Sequence, residues 1–174
     1  MFAKSIRKRR VQNRHYSNWA WHLDEVFVRI NGELHYLWRA VDHEGEVLEA
    51  YVTKRRDRKA ALKFLRKAMK RYGAPYQVIT DKLPSYKAAL RKLGNASRQE
   101  TGRWSNNRAE NSHQPLRRRE KIMNRFRSMR SLQKFAAVQS SIHNHFNLER
   151  HFHHRPEFKE NRSAALAEWR ELFA

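Results

Sequence analysis

The chain has 174 residues, and its 38 Lys and Arg against 17 Asp and Glu give a formal net charge of +21 before any of its 10 histidines gains a proton. Self-repulsion on that scale disfavours a compact chain unless a polyanion balances it, so nucleic acid is the first partner to expect and an anionic membrane surface the second. The absence of cysteine excludes disulfides, iron–sulfur clusters, thiolate nucleophiles and every Cys-containing zinc site. A hydrophobic content of 40%, with 5 Trp, 6 Tyr and 9 Phe, predicts one folded domain rather than a disordered basic tail. No apolar stretch approaches the roughly 20 residues that cross a bilayer, and the basic start lacks the apolar run of a secretory signal.

Residues 1–18 read as a basic arm carrying Lys4, Arg7, Lys8, Arg9, Arg10 and Arg14. From Trp21 the pattern has period two: Val26, Val28 and Ile30 alternate with polar neighbours, Asn31-Gly32 is a two-residue hairpin signal, and Leu34, Tyr36 and Trp38 resume the alternation. Asp42 to Gly45 predicts a second turn, and Val47 to Thr53 a third strand. Between Asp57 and Tyr72 the period becomes helical, with Asp57 as the cap and Gly73 as the stop. Gln77 to Thr80 is a short buried strand ending at Asp81, and Pro84 opens a helix to about Leu93. After a polar connection from Asn95 to Arg103, helices are expected from Asn106 or Asn107, from Ser128 or Ser131, and over Ser163 to Phe173. Three antiparallel strands, helix, strand, helix and a run of helices predict an α/β layer with one mixed sheet.

A carboxylate inside or at the end of an apolar strand is costly unless something positive lies beside it. Asp24, within the first strand, and Asp81, ending the buried one, meet this description. If those strands are neighbours, both acids face a common point, and Glu110, opening a helix after a polar loop, is the best third candidate. Three carboxylates from two strands and a helix suit two hard divalent cations. The plainer reading is that Asp81 caps a turn and Glu110 complements a helix dipole.

The strings WHLDEV (Trp21 to Val26), YLWRAVDHEGEVLEA (Tyr36 to Ala50), TDKLPSY (Thr80 to Tyr86), NNRAENSHQPLRRRE (Asn106 to Glu120), HNHFN (His143 to Asn147) and RSAALAEWREL (Arg162 to Leu172) resemble the catalytic core of DDE transposases of bacterial and archaeal insertion sequences, in the family founded by the element numbered six. The resemblance implies a ribonuclease H-like fold in βββαβα order, with Asp24, Asp81 and Glu110 as first, second and third acids. It further implies two Mg2+ ions, for which Mn2+ substitutes, cleavage of element ends, and strand transfer into target DNA. The division expected is an arm over 1–18, a DDE catalytic domain over 19–150 and a helical extension over 151–174. The 29 positions from Asp81 to Glu110 are fewer than is usual in the family, which implies a shortened loop between Asn95 and Arg103. Family members carry a helix-turn-helix ahead of this core. With only the basic arm preceding it here, duplex binding is expected to show little sequence preference.

A basic residue two helical turns after the third acid is a further family feature, matched by Arg117. On an unbroken helix Glu110, His113, Gln114 and Arg117 share a face, although Pro115 is expected to bend it. Glu120 is rotated about 80° from Glu110 and reads as a salt-bridge partner. Arg117, Arg118, Arg119, Lys121 and Arg125, with Lys82 and Arg108 beside the acids, are the expected contacts to the phosphates of duplex DNA. His143, His145, His151, His153 and His154 look like a metal cluster, but residues two apart on a helix point about 200° apart. Trp104 reads as a core residue, with base stacking as the alternative. Function, then, is expected to be that of a cytoplasmic, nucleoid-associated enzyme working as a homo-oligomer on DNA. The rivals are an inactive DNA-binding remnant of such an element and a basic RNA-binding protein of the ribosomal type. Neither requires all three acids, and all three are present.

Overall fold

The computed structural model describes residues 20–102, 106–122, 126–146 and 154–171, with the backbone alone at 107, 108 and 110. The basic arm, Trp104, Arg125, His151 and His153 lie outside the described residues, as do the side chains of Arg108 and Glu110.

Strand β1 (Ala20–Ile30) turns through Asn31 and Gly32, at φ 51° and 85°, into β2 (Glu33–Asp42). Asn and Gly tolerate this left-handed backbone best, which is why the pair makes the tight hairpin. Asp42 then accepts from the N–H groups of Glu44 and Glu46, at 3.0 and 2.9 Å, and holds the turn into β3 (Val47–Thr53). Helix α1 (Arg58–Tyr72) starts where the Asp57 carboxylate accepts from Ala60 N at 2.8 Å, and Gly73 ends it. β4 (Gln77–Thr80) leads to α2 (Pro84–Lys92), with Pro84 in the first turn where its missing N–H costs nothing.

Three elements depart from expectation. The polar connection contains a short edge strand, β5 (Gln99–Glu100), parallel to β4. Two polar residues on a sheet edge carry no alternation to read. Helix α3 (Asn107–Ile122) runs through Pro115, and the carbonyl that loses its donor belongs to exposed Asn111, within reach of water. Ser128, not Ser131, caps α4 (Met129–Phe146): its hydroxyl accepts from Ser131 N at 3.1 Å. The last helix, α5 (Arg155–Glu171), begins eight residues earlier than Ser163. Its first turns are exposed, so they lack the apolar stripe that would announce them.

The sheet order is β3-β2-β1-β4-β5, with β1, β2 and β3 antiparallel and β4 and β5 parallel to β1. Both faces are covered. Trp21, Leu23, Trp38 and Val78 pack with Phe64 and Leu65 of α1 and Tyr86 and Leu90 of α2. Val26, Val28, Leu37 and Val52 pack on the other side with Leu116 of α3 and Leu132 and Ala136 of α4. Because side chains alternate along a strand, adjacent residues of β1 report to different helix layers.

Candidate active site

The parallel pairing of β1 with β4 ends at Leu23 and Thr80. There β4 ends while β1 runs on to Ile30, and the next residues are Asp24, inside β1, and Asp81, just past β4. Crevices of open α/β sheets lie outside the carboxyl ends of strands, and Asp81 stands at that end of β4. Asp24, Glu25 and Asp81 each offer a carboxylate oxygen there, all within 4.8 Å of one another.

The alternation of β1 gives the first two acids different surroundings. Asp24 faces α3, with its Oδ2 3.7 Å from His113 Nδ1, and its Oδ1 accepts from Glu25 N at 2.8 Å. Arg39 stands directly opposite Asp24 in the β1–β2 ladder and is 1% exposed. Burial lowers the Arg39 guanidinium to about 10, against the charge of Asp24, so it remains a cation at neutral pH. His113 is pushed down to about 3 by burial and then by the charges of Arg39 and Arg117, and is therefore neutral. The contact between His113 and Asp24 is accordingly not an ion pair at pH 7.

Glu25 faces the other layer, and its side chain is wholly excluded from solvent. It is gripped by Arg56 Nε and accepts from Tyr86 Oη at 3.0 Å. Burial raises its carboxyl above the usual range, the hydrogen bond from Arg56 opposes that, and the charge of Asp81 adds to the rise. Burial also drives the Tyr86 phenol well above 10, reinforced by Glu25. For Arg56, burial acts downward, but the hydrogen bond and charge of Glu25 outweigh it and the net shift is upward.

Asp81 does two things. Its Oδ1 accepts from Leu83 N at 3.1 Å, the turn-capping role, and its Oδ2 takes Arg56 Nη2 at 3.3 Å. Helix α3 is pinned beside these acids by Asn106, whose side-chain Nδ2 donates to Leu23 O at 2.8 Å and whose backbone carbonyl accepts from Ala109 N. The backbone of Glu110 follows in the first turn of α3, three residues before His113.

Among the expected phosphate contacts, Lys82, Arg118, Arg119 and Lys121 are exposed. Arg117 is committed differently: it donates to Phe27 O at 2.7 Å and to Glu120 Oε2 at 2.6 Å, so it ties α3 to β1. His145 is a core histidine, 5% exposed, with its Nε2 2.7 Å from Ala165 O and its ring against Phe146 and Trp169.

Glu25, Arg39, Arg56 and Tyr86 are participants that reading the acids alone missed. One was countable: stepping outward equally from the Asn31-Gly32 turn puts Arg39 opposite Asp24. Arg56 comes from a loop, and no periodicity marks it.

Residues 18–149 match the family model describing the DDE domain of the IS240 type. The transposase for insertion sequence-like element IS431mec of Staphylococcus aureus is 35% identical over 102 residues, 56% of this chain and 46% of that one. The transposase of IS257 in transposon Tn4003, also from Staphylococcus aureus, matches to the same extent. The chain thus spans about half the length of these transposases. Among solved structures, the HTLV-2 integrase catalytic core domain with magnesium, in its dimeric form, superposes with a TM-score of 0.56 at 14% identity, covering 76% of this chain and 89% of that one. The BIV integrase catalytic core gives 0.52 at 17% identity, over 88% of this chain and 99% of that one. At these identities the likeness is one of fold, the ribonuclease H-like sheet with its flanking helices. The family match runs through β1, β4 and α3 and takes in Asp24, Asp81 and Glu110, and the chain belongs to the DDE-domain family of insertion-sequence transposases.

Proposed function

We propose that this chain is the catalytic core of a transposase that cuts the ends of a DNA element and joins them to target DNA. Asp24, Asp81 and Glu110 are the acids that hold divalent metal, Mg2+ in two positions with Mn2+ able to replace it. The observation that carries this reading is the meeting of the Asp24 and Asp81 carboxylates where the β1–β4 pairing ends, beside the start of α3. Carboxylate oxygens in the absence of cysteine suit a hard divalent cation, so the residues present fit the group. Bound there, the metal supplies polarisation of a phosphodiester and activation of the attacking oxygen.

The chain's own residues prepare that chemistry. One oxygen of Asp24 and one of Asp81 are tied to backbone N–H groups, which orients both carboxylates before any ligand arrives. Asn106 and Arg117 fix α3 to β1 at two places, which sets the position of Glu110 along the site. Exposed Lys82, Arg118, Arg119 and Lys121, with Arg108 and Arg125, bind the phosphate backbone. In the first step water attacks the scissile phosphorus; the new P–O bond forms as the bond to the 3′ oxygen breaks, leaving a 3′-hydroxyl and a 5′-phosphate. In the second, that 3′-hydroxyl loses its proton and attacks a target phosphodiester, releasing a target 3′-hydroxyl. No covalent bond to the protein is required. The reading extends to a basic arm over 1–18, a catalytic domain over 19–150 and a helical extension over 151–174, acting as a homo-oligomer on DNA in the cytoplasm, at the nucleoid.

The test is strand cleavage on labelled duplexes carrying the element's ends. Cleavage that needs Mg2+ and vanishes in Asp24→Asn supports the reading. Cleavage that persists in EDTA, or in Asp24→Asn, contradicts it.

A further inference from the structure

Arg56 already occupies the place of a cation. Its guanidinium bridges Glu25 and Asp81, two of the three carboxylates whose oxygens lie within 4.8 Å of one another. The two grips are unequal. Glu25 is wholly buried and is held by Tyr86 as well, so an ionised Glu25 deprived of its arginine would be left as a buried unpaired charge. Asp81 is 38% exposed and its contact to Arg56 is long, 3.3 Å, so that contact is weak and replaceable. The guanidinium also lies over the Phe27 ring, 5.3 Å from its centroid, and the loop that bears it runs directly into Asp57, the cap of α1. Arg56 is thus anchored on the Glu25 side and loose on the Asp81 side.

We propose that Arg56 is the resident counter-cation of this site: it stays on Glu25, withholding that carboxylate from the metal, and yields Asp81 when a divalent ion binds. The proposal rests on reading Asp24 and Asp81 as metal ligands. It accounts for three carboxylates gathered around one guanidinium, and it leaves Asp24 and Asp81, rather than buried Glu25, open to the ion. The arrangement has a measurable cost, because a positive charge left a few ångströms from the incoming ion repels it.

The test is a Mn2+ titration of the whole chain followed by electron paramagnetic resonance of the free ion, a readout independent of DNA cleavage. Arg56→Gln retains an N–H donor for Glu25 without the charge, and it is expected to bind Mn2+ at least about fivefold tighter than wild type. Its melting temperature in EDTA should fall, and it should recover more than wild type when Mn2+ is added. Arg56→Lys keeps a cation on Glu25 but cannot span both acids; it should fold as wild type does and bind Mn2+ at least about twofold tighter. Should Arg56→Gln fail to fold, the Lys variant decides. Unchanged or weaker Mn2+ binding in the folded variants overturns the proposal. Asp81→Asn in the same titration separates the two readings. If it weakens Mn2+ binding while the Arg56 variants do not tighten it, the metal site stands and the role of Arg56 falls. If it leaves binding unchanged, the metal reading fails and takes the proposal with it.

Discussion

Two buried strand glutamates, Glu49 on β3 and Glu25 on β1, show how the same residue type can close a structure or open a site. Glu49, 5% exposed, receives Lys67 Nζ at 3.1 Å and Arg71 Nη1 at 2.9 Å, both from α1, and the N–H of Ala50 at 3.1 Å. One acid meets two cations, and the cluster is complete. Around Glu25 the balance is reversed: with Asp24 and Asp81 there are three acids, bridged by Arg56 and backed by buried Arg39, while His113 is neutral. Asp81 and Asp24 keep 38% and 17% of their side chains open to solvent. Burial of a carboxylate is therefore no sign of function by itself. What sets the group of Asp24, Glu25 and Asp81 apart is an excess of carboxylate over cation together with a solvent opening.

That contrast yields its largest expected effect in cleavage. Asp24→Asn and Asp81→Asn should each reduce Mg2+-dependent strand cleavage by about a thousandfold or more, while duplex binding stays equal or tightens because a negative charge near phosphate is removed. Glu49→Gln should leave cleavage within about twofold and lower stability by about 1–2 kcal/mol, since its two partners are partly exposed and can turn to water. Parallel cleavage assays and urea melts of the three variants check this. If Glu49→Gln lost activity as the aspartate variants do, the distinction between the clusters would collapse.

A second expectation concerns α3. Asn106→Ala removes the 2.8 Å bond to Leu23 O and the side chain at the start of the helix. It should cost about 1–2 kcal/mol of stability and lower cleavage by about tenfold or more, by releasing the helix that carries Glu110. Because Asn106 acts through position, its Mn2+ affinity should weaken in proportion. A variant destabilised but fully active would assign it a structural role only.

Tyr86→Phe isolates one bond to Glu25 and should destabilise the chain by about 1–2 kcal/mol near neutral pH. The pH dependence has a definite sign. The folded phenol is raised well above its unfolded value of 10, so the folded state binds more protons in alkaline solution. Its contribution is complete below pH 10 and is lost as pH rises above that. The stability gap between wild type and Tyr86→Phe should therefore narrow above pH 10, read from urea melts alongside tyrosinate absorbance.

The smallest effects are expected on the basic face. Arg118→Ala or Arg119→Ala should weaken duplex binding similarly for every sequence and reduce the slope of log affinity against log salt by about 0.9 at most. Arg117→Ala should instead lower stability, because that guanidinium is bound to Phe27 O and Glu120.

Much of this was legible in the residues. Alternation and Asn31-Gly32 specified the hairpin and, through it, the facing of Asp24 and Arg39. Asp57, Gly73 and Pro84 marked helix boundaries by local chemistry that works the same way in any fold. Other features were not legible because they depend on distance in space. Arg56 lies 31 positions from Glu25, and nothing in the sequence around it announces that partner. Lys67 and Arg71 look like any solvated helix face until β3 lies beneath them. β5 and the start of α5 bury too little apolar surface to leave a period.

A crystal structure of the chain with Mn2+, read from the anomalous signal of the ion, decides whether these acids hold divalent metal. Anomalous peaks are expected on the carboxylates of Asp24, Asp81 and Glu110, with Arg56 drawn off Asp81 and still on Glu25. A peak ligated by Glu25 in place of Glu110, or no peak at this point under saturating Mn2+, would contradict it.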